Sequence, residues 1–330
     1  MKSLLTETIQ TIYLDLMDWA RHNSEVSRRA LLCFIGLGVA WGIPYLLIKV
    51  AVRELSPEQL VLARTAVASV LLLPVALARG AVVPVLRQWK WLFAFAFIEI
   101  AVPWVALGSA EQHLPSASTG LLIAAVPIVG ILLAFVGGRP EQLNPLAWAG
   151  VLLGIAGVGA LVGLDIGGSH PGPLGELAVV VVCYATGPVI LSRKLGDLPG
   201  IGVVASALTV TTIGYVPVVL LRDGMPSTVP SAKVVSSVVL LALVCTAAAF
   251  LMLFALVGEI GPVRATTITY VNPAVAVAAG AIFLGEAISV WTVVGFVLVV
   301  TGSYLVNRRS RQPGSVIEAT SELDVEPVTT

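Results

Sequence analysis

The 330 residues are 57% hydrophobic and only 12% charged, with a mean hydropathy of +0.97. Apolar surface of that extent exceeds what a soluble core of this size could hide, so lipid must solvate much of the chain. Lys plus Arg and Asp plus Glu each number 19, a zero net charge without the basic excess that a nucleic-acid partner requires.

The chain opens on a polar stretch rather than the charged start, short apolar core and small-residue cleavage site of a signal peptide, so its N-terminus is expected to be retained. Within residues 1–29, Leu5, Ile9, Ile12, Leu16 and Trp19 recur between Glu7, Asp15, Asp18 and Arg21. That spacing suits either an amphipathic helix on the membrane surface or a frayed tail.

Apolar runs of about twenty residues predict spans near 31–51, 59–78, 91–111, 115–136 and 146–163, then 175–192, 201–221, 235–256, 263–284 and 290–306. Residues 30–163 and 175–306 thus hold five spans each, joined by a Gly/Pro-rich connector at 164–174 that should not be membrane helix. The polar residues 307–330 predict a disordered tail. With a cytoplasmic N-terminus, 14 Lys and Arg fall in cytoplasmic loops and tails, and only Arg53, Arg222 and Lys233 fall outside. This bias follows the positive-inside rule for a multi-pass inner-membrane protein with both termini cytoplasmic. Cys33, Cys183 and Cys245 stand singly in apolar runs, without metal or redox spacing, and read as packing residues.

The two halves resemble each other. Pro127 precedes Pro273 by 146 residues; Glu141, Gly150 and Gly157 precede Glu286, Gly295 and Gly302 by 145; Trp41 and Pro74 precede Tyr184 and Pro217 by 143. Because each half has an odd number of spans, equivalent helices run in opposite directions. The prediction is an all-α integral membrane protein of ten transmembrane helices in two inverted five-helix repeats.

The stretch from Cys245 to Gly302 closely resembles the last three helices of the EamA branch of the drug/metabolite transporter superfamily, with Pro273, Gly285–Glu286, Gly295 and Gly302 in the family pattern. The first half carries that pattern more weakly in Pro127, Glu141, Gly150 and Gly157, with GRPEQ in place of a clean Gly-Glu pair. WGIPYLLIK in span one and the Pro57 to Arg64 opening of span two look like the same family. The resemblance implies a ten-helix transporter in a family that includes exporters of amino acids and other metabolites.

Glu99 is the one acidic residue near the middle of a span, about 12 Å from the start of span three. A carboxylate at that depth either lines a cavity or proton pathway, or is protonated and bonded to a neighbouring helix. Lys49 and Arg64 lie a few residues from the expected outer surface, where they would snorkel to water or form a vestibule for a carboxylate substrate. Glu111 and Gln112 could pair with either cation, while Glu286 and Glu141 sit at span ends and suggest structural roles.

Pro127 and Pro273 would free the carbonyls of Ile123 and Thr269 near mid-membrane. Thr266, Thr269, Tyr270 and Asn272 around Pro273, with Trp41 and Tyr45 as aromatic walls, outline a central substrate site. The glycine pairs Gly38/Gly42 and Gly150/Gly154 suit close helix packing. No Walker motif is present, so transport would be secondary, with protons as a candidate coupling ion at Glu99 and no cofactor. His22, His113 and His170 fall outside the spans or at their edges, against an intramembrane enzyme. A non-transporting scaffold or channel is the alternative to a metabolite exporter.

Overall fold

In a computed structural model of the chain, the residues described are 27–136, 145–161, 171–222, 224, 226, 228–260, 268 and 271–308. Among them the regular structure is helical, without strands. The main helices are α1 (Arg28–Ala51), α2 (Pro57–Ala78), α3 (Trp89–His113) and α4, which runs as Ser116–Ile123 and Val126–Val136. They continue as α5 (Pro145–Ala160), α6 (Pro171–Leu195), α7 (Gly200–Arg222), α8 (Ala232–Ile260), α9 (Val271–Phe283) and α10 (Val290–Arg308). Helices α1 to α4 and α6 to α8 are long and apolar enough to cross a membrane; α5, α9 and α10 are shorter apolar helices.

Local chemistry sets several helix starts. Ser27 Oγ accepts from Ala30 N at 3.0 Å to open α1. At α2, Ser56 and Gln59 exchange side-chain and backbone hydrogen bonds of 3.0 and 3.1 Å, with Pro57 in the first turn. Helix α6 begins at Pro171, within the stretch expected to be connector. The physical reason is that a first-turn proline gives up no intrahelical hydrogen bond. The expected N-terminal amphipathic helix and the polar tail beyond Arg308 lie outside the described residues.

Several helices are interrupted. The first changes course at Ile43, and Pro44 opens its second part. Wider π-helical turns occupy Ala96–Ala101 in α3, Leu191–Leu195 at the end of α6 and Leu243–Ala248 in α8. The two parts of α4 meet at Ala124 and Ala125, so Pro127 is the second residue of a restarted helix rather than the middle of a continuous span. Its ring would collide with the carbonyl four residues back, which favours a break just before it. Pro273 likewise stands third in α9 and is buried.

Packing is dominated by the pairs α1 with α8, α2 with α7, α3 with α6, α4 with α9, and α5 with α10. At the last pair a Cβ on Gly302 would stand 2.6 Å from the Gly150 carbonyl oxygen and from Gly154 N, so only glycine permits that approach. Leu32, Val70, Phe97, Ile213 and Leu221 point outward and are exposed, as lipid-facing side chains should be. The links between helices sort into two groups. At one end Arg222 pairs with Glu58 at 3.6 Å, Gln59 donates to Gly224 O at 3.0 Å, and Ser231 N donates to Glu54 at 2.7 Å. At the other, Glu259 joins Ser27 and Arg29, and Lys194 lies over Trp91.

Candidate functional site

Arg64 is the eighth residue of α2, about two turns from its start. Its side chain does not snorkel to water as the sequence suggested: it is 7% exposed and turned into the bundle. Two contacts hold it there. The guanidinium lies 3.6 Å from the centroid of the Trp104 ring on α3, and its Nε donates to Thr246 Oγ1 on α8 at 3.0 Å. Thr246 is free to accept because its own hydroxyl donates to Leu241 O, five residues back in the π-helical turn. Among the described residues no carboxylate pairs with Arg64, although burying a cation is costly without one.

Around this cation stand Tyr45 from α1, Tyr184 from α6 and Cys245 from α8. Tyr45 is buried against α4, where a Cβ on Gly120 would come within 3.1 Å of its ring. Trp41, one turn earlier, meets Phe250 edge to face at 6.0 Å in the α1–α8 contact. The walls of the site are therefore largely aromatic, around a positive charge.

Glu99 sits in the π-helical turn of α3, which shifts the helix register and aims the residue at α6. A Cβ on Gly187 would stand 1.9 Å from Glu99 Oε2, so the carboxylate fills the niche that the glycine leaves. Glu99 Oε2 is buried without a hydrogen-bond partner among the described residues. Tyr184 has both Glu99 and Arg64 within electrostatic reach. Tyr215 of α7 donates to Ala101 O at 2.8 Å, bracing the end of the same turn.

Lys49 is separate from this centre. Its ammonium donates to the backbone carbonyls of Glu111 and Leu114 at 2.5 and 2.8 Å, closing the carboxyl end of α3. The acidic side chain of Glu111, expected as a partner for Lys49 or Arg64, is fully buried with both oxygens unpaired among the described residues. Glu286, on the α9–α10 loop, accepts from Ser116 N and Ala117 N at 2.8 and 2.9 Å and caps α4. That is a structural role at a span end. Asn272 belongs to α9, beside Gly42 of α1, and its Oδ1 is buried without a partner among the described residues. Thr266, Thr269, Tyr270 and Glu141 lie outside the described residues.

The structure brings Arg64 and Tyr45 together with Trp104, Thr246 and Tyr184, which the sequence reading did not assign to a site; Glu99 stands near Tyr184, and Glu111, expected to close span three, is buried. The repeat held a usable signal. Cys245 occupies the position equivalent to Glu99, which draws attention to its neighbour Thr246, and Tyr184 is the equivalent of Trp41.

Comparison with known proteins agrees with this architecture. YedA of Escherichia coli, an uncharacterized inner membrane transporter, is 29% identical over 299 residues, covering 87% of this chain and 95% of its own. A probable terminal-alkyne amino-acid exporter of Streptantibioticus cattleyicolor is 26% identical over 282 residues, 82% of this chain and 91% of its own. YvbV of Bacillus subtilis, an uncharacterized transporter, is 24% identical over 86% of this chain and 93% of its own. One crystal structure shares the fold at a TM-score of 0.62, covering 87% of this chain and all of the other at 24% identity. The EamA-like transporter family is matched twice, at residues 28–163 and again at 175–308. The apolar helices are thus those of a multi-pass membrane protein, and the chain belongs to the EamA-like transporter family.

Proposed function

We propose that this protein is a secondary exporter of small metabolites, amino acids or related compounds, working by alternating access in the inner membrane. Buried Arg64 carries the reading, because a cation at the meeting of α2, α3 and α8 with no carboxylate partner among the described residues suits a substrate that brings its own. The terminal nitrogens of its planar fork make no hydrogen bond among the described residues and offer bidentate geometry to a carboxylate. Tyr45, Tyr184 and Trp104 supply walls for an apolar or aromatic remainder. Glu99, in the Gly187 niche, is the proposed site for substrate ammonium or a coupling proton. Trp41 and Asn272 extend the site along the α1–α9 contact, with Thr269 and Tyr270 assigned to it from sequence. Lys49 is assigned to the outer corner, and Pro127 and Pro273 to the helix interruptions.

The architecture we propose is ten spans in two inverted five-helix repeats, at 30–163 and 175–306, with 164–174 as connector and both termini cytoplasmic. Three observations support it. The family is matched once in each half. The principal packing pairs map onto themselves when each helix is exchanged for the one five places away. Loops expected on the same side are those found joined, Glu54 with Ser231 and Ser27 with Glu259. The relatives add two supports: YedA is named an inner membrane transporter and the Streptantibioticus protein an amino-acid exporter.

Metabolite profiling of cells with and without the protein tests the function: a carboxylate-bearing solute should move from the cell interior to the medium when the protein is present. Unchanged ratios for every solute would refute an exporter. Cysteines at Gly168 and Ser227 should label from outside, and those at Ser192 and Ser310 should not.

A further inference from the structure

The α3–α4 corner holds an acid that the substrate site does not use. Glu111 lies in the last turn of α3 and is 0% exposed, with neither carboxylate oxygen hydrogen-bonded among the described residues. The nearest cation, Lys49, is committed elsewhere: it donates to the backbone carbonyl of Glu111 itself and to that of Leu114. The groups facing Glu111 are few. Helix α1 presents Lys49 and Tyr45, and the α9–α10 loop presents Glu286. Beyond these, Arg64 of α2 acts on Tyr45, and Glu176 of α6 accepts from Ser109 of α3 through its Oε1 at 2.8 Å. His113, on α3 itself, is exposed.

An ionised carboxylate enclosed in this way has no well-formed hydrogen bond among the described residues and only the charge and backbone of Lys49 to offset its burial, a state that costs several kcal/mol, whereas the neutral acid needs only a modest partner. The corner is also a junction between the halves. The carboxyl end of α3 is closed by a first-half cation, Lys49, and the amino end of α4 by a second-half anion, Glu286. Each charge has the sign that its helix end favours. Separating Glu286 from α4 would break two charge-assisted hydrogen bonds, admit water to the corner and free Lys49 to turn from the two carbonyls to the carboxylate on the same residue.

We propose that Glu111 is a proton-binding site of this transporter, and that Lys49 is its alternate counter-ion when the α3–α4 corner opens. In the closed corner Glu111 carries the proton and Lys49 holds the end of α3. In the open corner the O–H bond of Glu111 breaks, the proton passes to water at that face, and the carboxylate pairs with the Lys49 ammonium. Reclosure requires the proton to return, so occupancy of this site is linked to the position of the corner. This rests on the alternating-access reading, because only then does the corner open.

The test needs no transported solute. Full-length protein in liposomes is titrated by pH-difference infrared spectroscopy, reading the carbonyl stretch of protonated carboxyl groups. One band should disappear in Glu111→Gln and persist in Glu99→Gln, and in Lys49→Gln its titration should move to higher pH by at least about one unit, the effect of losing an adjacent opposite charge. If Glu111→Gln fails to insert, Glu111→Asp should shift the frequency of that same band. A spectrum unaltered by substitution at Glu111, or a titration unmoved in Lys49→Gln, would overturn the proposal. Failure of wild-type protein to export any solute would remove the transport reading and leave the band in place, so the two outcomes are separable.

Discussion

The two halves of this protein share a plan and divide the labour unequally. By the offsets of 143 and 146 residues, Lys49, Arg64, Glu99 and Glu111 of the first half correspond to Ser192, Ala207, Cys245 and Val257 of the second. The buried charged residues among those described, Arg64 and Glu111, both belong to the first half. What the second half supplies is reception: the Thr246 hydroxyl for Arg64, the Gly187 niche for Glu99, and Glu286 to cap α4. Burying charge is costly, and a duplicated scaffold that repeated every charge would incur that cost twice. Confining charge to one half keeps the symmetric packing and makes a single asymmetric site.

The comparison can be broken most severely where the second half makes room for the first. Gly187→Val places a branched side chain where Glu99 Oε2 now lies, and should destabilise the protein by about 3 kcal/mol, read as a lower melting temperature in detergent. Combining it with Glu99→Ala should recover at least about 1 kcal/mol, because the collision is then absent. Simple additivity would place Glu99 elsewhere. Next in size is the contact in which both halves are alike. Gly302→Ala drives a methyl into the Gly150 carbonyl and Gly154 N, and should cost about 2 kcal/mol in the same assay.

A smaller effect belongs to the α4 cap. Glu286→Ala removes the acceptor for Ser116 N and Ala117 N and should cost about 1 kcal/mol. The smallest is at the surface. Ser231, through its backbone N–H and its side chain, holds the exposed Glu54 carboxyl below the usual carboxylate range. A depressed carboxyl stabilises the fold above its unfolded value and loses that contribution as pH falls through the folded one. Any difference in melting between wild type and Glu54→Gln should therefore be confined to neutral pH and vanish in acid.

Much of this was legible in sequence, for physical reasons. Apolar runs mark membrane helices because lipid leaves no alternative, and among the described residues the helices fall close to the expected runs, with α6 starting four residues early and the first residues expected of the ninth span lying mostly outside the described residues. Arg64 was visible as a charge within a span, but its direction was not, since snorkelling and burial depend on Trp104 and Thr246, which are 40 and 182 residues away in the chain. Glu111 was misread for a related reason. Its position at the expected end of span three suggests a partner for Lys49 or Arg64, whereas Lys49 donates to backbone carbonyls and the α9–α10 loop and α1 close over the acid. The π-helical turns that aim Glu99 and Thr246 left no mark in apolar periodicity, because an extra residue in one turn does not change which residues are apolar.

The account turns on Arg64 as the cation that the substrate completes. Its direct test is the outside-to-inside ratio of the exported carboxylate-bearing solute in cells carrying wild-type, Arg64→Ala or Arg64→Lys protein at equal membrane abundance. Wild type should raise the ratio, Arg64→Ala should return it to that of cells without the protein, and Arg64→Lys should restore little, because a point charge lacks the planar fork. An Arg64→Ala protein that exports the same solute as well as wild type would contradict the central claim.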